Sequence, residues 1–408
     1  MTDKPLLWAG QSYPVPISPW QLLRNAEEAR LPVRAIRASS GWLVGIGEAL
    51  HIDYDPLSDD SRDERKRIAN GLKDHIDSTL PLWFFQSPFD PSEPYRHVVP
   101  ELIVTFETDR DATATSLIMD NQVLAERYLP ILSDTTLPIS PAGGAPLVEG
   151  VMLPSPDRFI AQVEEILAHI KDAELTKVVL SATAQARTAP LFTVTEALSR
   201  LAASHHNSHA FLYPDFFGVS PELIVSHFSG VIRSQPLAGT RSAERREELF
   251  ASIKDNHEHR VVVEEIVRDL TPLSDGIDVG EARRFDIGDL SHLRTDIVAR
   301  SRGGVRLVDL ATALAPTPAV GGVPKLEALS TIARLENGSR GYYGGLTGYE
   351  TVGGDGEAYL TIRGVAQDGV RLTFQAGVGV VDGSEPEEEF SEATAKLGSI
   401  ITPLCGDH

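Results

Sequence analysis

Apolar residues recur at helical spacing after Ser155-Pro156, at Phe159, Ile160, Val163, Ile166, Leu167 and Ile170. That stripe predicts a helix capped by Ser155, with proline at its first position. A β-branched run, Lys177-Val178-Val179-Leu180-Ser181, follows and predicts a strand. A second helix is predicted over 193–203. Strands are predicted at 210–213 and 223–226. Leu249, Ile253, Val262, Val263, Ile266 and Leu270 predict one long helix from about Ala243 to Leu270. Tyr359–Arg363 and Val370–Phe374 look like the two strands of a hairpin. Upstream, 33–37 and 102–106 read as strands and 58–78 as a polar helix. The Pro/Gly-rich stretch 137–156 reads as a loop between lobes. Strands cluster and do not alternate strictly with helices, which predicts an α+β fold with antiparallel sheet.

With 408 residues, 42% of them hydrophobic, the chain can bury a large core. A net charge of −21 without a basic stripe argues against nucleic acid and anionic membrane surfaces as partners. The one cysteine, Cys405, excludes an internal disulfide and a thiolate metal site. No signal-peptide core opens the chain, and no apolar run reaches about 18 residues. These features predict a cytoplasmic protein.

Candidate chemistry begins at Glu387-Glu388-Glu389-Phe390-Ser391-Glu392 and Lys396. Glu389 and Glu392 share a helix face, and like charges there cost a few tenths of a kcal/mol unless a cation joins them. Asp255 and Glu258 form a second such pair in Lys254-Asp255-Asn256-His257-Glu258-His259. Carboxylates from two helices suit magnesium. Solvated acidic faces are the plainer explanation of either pair alone. His205-His206-Asn207-Ser208-His209 fits no closed zinc set and reads as a polar loop. Gly377-Val378-Gly379 lacks the timely third glycine and the helix of a dinucleotide fingerprint.

Further segments fall in a fixed order: Gly218-Val219-Ser220-Pro221-Glu222, Pro236–Arg241, Pro316–Lys325, Arg340–Gly345, Thr361-Ile362-Arg363 and Gln375–Gly379. Together with the Lys177 strand and the two acidic segments, they resemble the chorismate-utilising enzymes. That group includes isochorismate, salicylate, anthranilate and aminodeoxychorismate synthases. The resemblance covers about Ser155 to Leu404; residues 1–150 carry little of it. It implies one large α+β domain over 1–408, in which two antiparallel sheets face each other and helices lie outside. It also implies a Mg2+-dependent enzyme acting on chorismate.

By that resemblance, Lys177 is the base that activates water and Glu222 the acid that protonates the leaving hydroxyl. A working amine requires a lowered pKa and a donating carboxyl a raised one. Glu258, Glu389 and Glu392 match metal ligands, with Asp255 just outside them. Arg363 and Tyr343 match residues on the pyruvyl carboxylate. Gly239, Thr240, Gly377 and Gly379 match backbone contacts to anionic groups, and Lys396 lies near the ring carboxylate.

Lysine at 177, where ammonia-using members have glutamine, points to water as the nucleophile. Ala319 resembles the small residue of isochorismate synthases. The reading is hydration at C2 of chorismate with loss of the C4 hydroxyl. The alternatives are salicylate synthase, an ammonia-using relative, and a degenerate chorismate-binding protein. No glutaminase domain is evident in the chain, and a monomer is expected. Ala182, Ala315 and Ala393 stand where the family usually has arginine, histidine and threonine.

Overall fold

The computed structural model describes residues 11–56, 58–72, 77–107, 112–117, 124–136, 144–288, 290–336 and 338–406. Its described strands form sheets of twelve, nine and three. Every described strand pair is antiparallel. The fold is α+β, as predicted.

Both large sheets join early and late parts of the chain. In the twelve-stranded sheet, Val33–Ala38 pairs with His209–Tyr213, with Ile36 opposite Phe211. In the nine-stranded sheet, Pro81–Ser87 pairs with Leu346–Thr351. Ile36, Ala38 and Leu43 of the first sheet pack against Phe84, Leu223, Tyr349 and Tyr359 of the second. Each fully buried large apolar side chain there contributes about 1.5–3 kcal/mol relative to exposure. Tyr213 reaches across to donate to Phe85 O at 2.7 Å, which satisfies a hydroxyl that burial would otherwise strand.

The helices lie against these sheets. Pro156–Lys171 buries Phe159, Val163 and Ile166, and its Phe159 ring packs 5.7 Å from Phe390 of the helix Pro386–Ile401. Ser155 is extended but makes no side-chain capping bond, so proline alone marks this helix start. Glu387, Glu388 and Glu389 occupy the first turn of the C-terminal helix, where the backbone dipole favours negative charge. No helix among the described residues is long and apolar enough to cross a membrane.

Several local expectations are corrected. The stretch 137–156 contains the strand Val148–Met152, which pairs with Lys177–Thr188; 137–143 lie outside the described residues. The helix expected over 58–78 is Asp59–Leu72, with 73–76 outside the described residues. The long helix from Ala243 is instead a 3-10 segment, Ala243–Glu248, and then the helix Ile253–Leu270. Ser252 makes the break by accepting from Asp255 N–H at 3.1 Å as an N-cap. Ile253, expected on the apolar face, is 88% exposed. The hairpin predicted from 359–363 and 370–374 does not form. Gly356–Leu360 belongs to the nine-stranded sheet, whereas Arg371–Val381 pairs with Gly364–Asp368 and Lys177–Thr188 in the other. His205 is buried at a helix end, and its Nδ1 donates to Leu201 O at 3.0 Å.

Candidate active site

The site lies where the chain passes twice between the large sheets. Pro221-Glu222 connects Phe216–Ser220 of the twelve-stranded sheet to Leu223–Phe228 of the nine-stranded one. Thr361-Ile362-Arg363 returns from Gly356–Leu360 to Gly364–Asp368. The crossings are stitched together: Leu360 N–H donates to Glu222 O at 3.1 Å, and Val219 N–H to Arg363 O at 3.2 Å. Arg363 holds φ +47°, a left-handed backbone that is costly for a side chain of its size.

One cavity beside these crossings is lined by Lys177, Glu222, Gly239, Thr240, Glu258, Ala319, Tyr343, Arg363, Gly377, Gly379 and Lys396. The predicted amine and carboxylic acid therefore share a chamber. Glu389, Glu392 and Asp255 do not line it. Glu392 and Lys254 border an adjoining recess of about 180 Å³, and Thr240 lines both spaces.

Glu222 is 2% exposed, and the one described hydrogen-bond donor to its carboxyl group is Leu237 N–H at 3.3 Å. Burial pushes its carboxyl up to about 8, against weaker pulls from that bond, Lys177 and Lys396. A protonated carboxyl at neutral pH is what a proton donor requires. Lys177 is buried and paired on both sides, opposite Val323 and Val381, and not on an exposed edge; it donates to Glu258 Oε1 at 3.0 Å. Gly379 makes room for that pair: a Cβ there would collide with Glu258 Oε1 and lie 3.0 Å from Lys177 Cε. At Gly377 a Cβ would lie 2.9 Å from the Tyr343 hydroxyl. These glycines thus admit neighbouring side chains, a reason that chain pattern did not disclose.

Arg363 is buried, and its Nη1 has no hydrogen-bonding partner among the described residues. Burial without a counter-charge pulls its guanidinium down to about 10. A buried, half-satisfied fork of this kind matches a carboxylate. Its Nη2 donates to His292 Nε2 at 3.2 Å, so that nitrogen accepts and the proton of neutral His292 resides on Nδ1. Nδ1 then faces Gly239 O and Thr240 Oγ1, each at 3.2 Å. Burial drives His292 well below its ordinary pKa, which suits this neutral role. His292 had no motif to announce it; only the fold shows that it joins Arg363 to the Gly239-Thr240 bulge in the strand Leu237–Ser242. Gly239 holds φ +73° over Asp255, where a Cβ would stand 3.1 Å from the Asp255 Cβ.

The predicted metal ligands each carry a cation. Glu258 holds Lys177; Glu389 bonds Lys254; Glu392 holds Lys396 at 2.8 Å. Asp255 holds Arg241 at 2.7 Å. Among the described residues, no three His, Cys, Asp or Glu side chains converge closely enough to hold a metal unaided. The donor chemistry nonetheless fits a hard cation. Burial and the charge of Glu392 push Glu389 up to about 7, against Lys254. Its second oxygen is buried without a hydrogen bond of ordinary geometry. Crowded carboxylates of this kind are relieved by added positive charge.

Lys396 also donates to Gly377 O at 3.0 Å, so it both pairs with Glu392 and enters the cavity. Of the departures from the family pattern, Ala182 and Ala393 are buried, and Ala315 ends the helix Leu307–Leu314.

Known proteins resemble the chain in sequence and in fold. The chain is 34% identical over 279 residues to isochorismate synthase DhbC of Bacillus subtilis, covering 63% of this chain and 70% of that one. It is 28% identical over 368 residues to the vibriobactin-specific isochorismate synthase of Vibrio cholerae, covering 85% and 84%. The structure of MenF, the menaquinone-specific isochorismate synthase of Escherichia coli, superposes with a TM-score of 0.79 at 22% identity, over 98% of this chain and 96% of that one. That likeness speaks to the fold. The profile of the chorismate binding enzymes matches residues 17–405, and the chain belongs to that family.

Proposed function

We propose that the protein is a magnesium-dependent isochorismate synthase. The observation that carries this reading is one cavity lined by a buried lysine, a glutamic acid raised to about 8 and an unsatisfied buried arginine. The curated relatives named above support the same product.

Arg363, with Tyr343 nearby, receives the pyruvyl carboxylate of chorismate, and His292 keeps the guanidinium oriented. Lys396 faces the ring carboxylate. Lys177, once neutral and free of Glu258, takes a proton from water as its oxygen bonds to C2. The ring double bond shifts, the C4–O bond breaks, and Glu222 gives its proton to the departing hydroxide, which leaves as water. Water gained equals water lost, so the net change is an isomerisation. Lys177 ends protonated and Glu222 ionised; exchange with solvent resets both. Glu258, Glu389 and Glu392 would hold the magnesium ion, with Asp255 supporting them. When bound, the ion supplies charge stabilisation to the ring carboxylate.

Purified protein is incubated with chorismate and magnesium, and products are separated and weighed by mass spectrometry. Isochorismate alone is expected. Salicylate plus pyruvate would assign the chain to salicylate formation. No consumption, with ammonia also supplied, would leave a binding protein.

A further inference from the structure

Of the lysines that meet the acidic cluster, Lys177 and Lys396 line the cavity and have parts in the chemistry above. Lys254 does not line it. Its side chain is 18% exposed and opens onto the adjoining recess of about 180 Å³, beside Arg245, Glu388 and Glu392. Its ammonium bonds Glu389 across 135 residues of sequence. Glu389 is one of the three carboxylates that the family pattern assigns to magnesium; the other two, Glu258 and Glu392, hold Lys177 and Lys396. A lysine is suited to a temporary post there, being a compact charge on a flexible stem with three rotatable donors.

We infer that Lys254 is an exchangeable counter-ion of the metal site. In the metal-free enzyme its ammonium occupies Glu389, while Lys177 and Lys396 occupy Glu258 and Glu392. When a divalent cation takes these carboxylates, the ammonium withdraws into the recess that its side chain already borders. A clamp that stays on Glu389 with metal bound is the competing role. The exchange rests on the divalent-cation reading of the site. It has a definite cost: metal affinity is reduced by the fraction of molecules in which Lys254 blocks Glu389.

The test is calorimetric titration of magnesium alone, without substrate, into the wild type, Lys254→Met and Lys254→Arg. Lys254→Met is expected to bind magnesium about tenfold more tightly, the blocking fraction having been removed. Its metal-free form should melt below the wild type, and its rise in melting temperature with magnesium should be larger. Lys254→Arg, which keeps the charge, should stay near the wild type. Unchanged or weaker magnesium binding by Lys254→Met would overturn the exchange. Should Lys254→Met not fold, a crystal structure of the manganese-bound wild type decides. Lys254 Nζ is expected beyond hydrogen-bonding distance of Glu389, and a retained bond refutes the inference. No heat from the wild type would sink the divalent-cation reading and this inference together. Heat with equal affinity in both proteins would sink the role of Lys254 alone.

Discussion

Two glutamates of this molecule sit at similar depth and have opposite fates. Glu350, on the strand Leu346–Thr351, is fully buried. Arg65 donates to its Oε1 at 3.1 Å, Arg306 at 2.7 Å, and Val308 N–H to its Oε2 at 3.0 Å. Burial alone would raise its pKa, but the two guanidinium charges outweigh burial and hold it low. The carboxyl group of Glu222 has one described hydrogen-bond donor, and burial wins. Depth is therefore silent about role; the supply of donors and cations decides it. A saturated carboxylate holds structure together. An undersupplied one keeps a proton available.

The comparison can be broken most severely at the cavity. Glu222→Gln and Lys177→Ala should each lower kcat about 10²–10⁴-fold, the range for lost general acid or base catalysis. Magnesium-dependent ligand binding should persist in calorimetry. Near-normal turnover in either variant would remove that residue from the chemistry. Glu350→Gln should do the reverse. Breaking a buried pair strands Arg65 and Arg306 and costs about 3–5 kcal/mol of stability, read by urea unfolding. The kcat of the folded fraction should hardly change.

The two residues also predict opposite pH slopes. The folded pKa of Glu222 lies above its ordinary 4.5, so the folded protein keeps a proton there that the unfolded chain loses between 4.5 and about 8. Its contribution to stability is lost as pH rises through that window, on the order of a few kcal/mol. Glutamine at 222 should flatten this slope and remove the fall of kcat/KM above about pH 8. The folded pKa of Glu350 lies below its ordinary value, so its contribution is present above 4.5 and lost as pH falls through the folded pKa. Unfolding curves from pH 3 to 9 on both variants would show whether the signs differ.

Smaller changes sharpen the picture inside the site. Gly379→Ala should push Glu258 and Lys177 out of register and cost about 10²-fold in turnover, the scale of a 1 Å misplacement. Unaltered kinetics would mean that the cavity tolerates a methyl group where Glu258 now lies. Thr240→Val removes one contact to His292 and should cost about 1 kcal/mol, as a rise in KM with kcat little changed. A loss confined to kcat would instead place Thr240 on the reacting groups.

Much of this was legible along the chain where the physics is local. Helical spacing announced Phe159, Val163 and Ile166, and all three are buried. The i,i+4 relation of Glu392 to Lys396 was visible in the spacing and is an ion pair at 2.8 Å. The ordered motifs pointed to the family that residues 17–405 match. Partner choice over long separations was not legible. Lys177 meets Glu258 from 81 residues away, and Lys254 meets Glu389 from 135. Nothing near Glu222 in sequence says that it lies on a crossing between two sheets, and that placement sets its burial. The false hairpin shows the same limit. Period-two patterning marks a strand but cannot name its neighbour, and 356–360 and 371–381 joined different sheets. Short-range periodicity is written in the order of residues. Which charges are deprived of water, and which are matched, follows only from how distant segments pack.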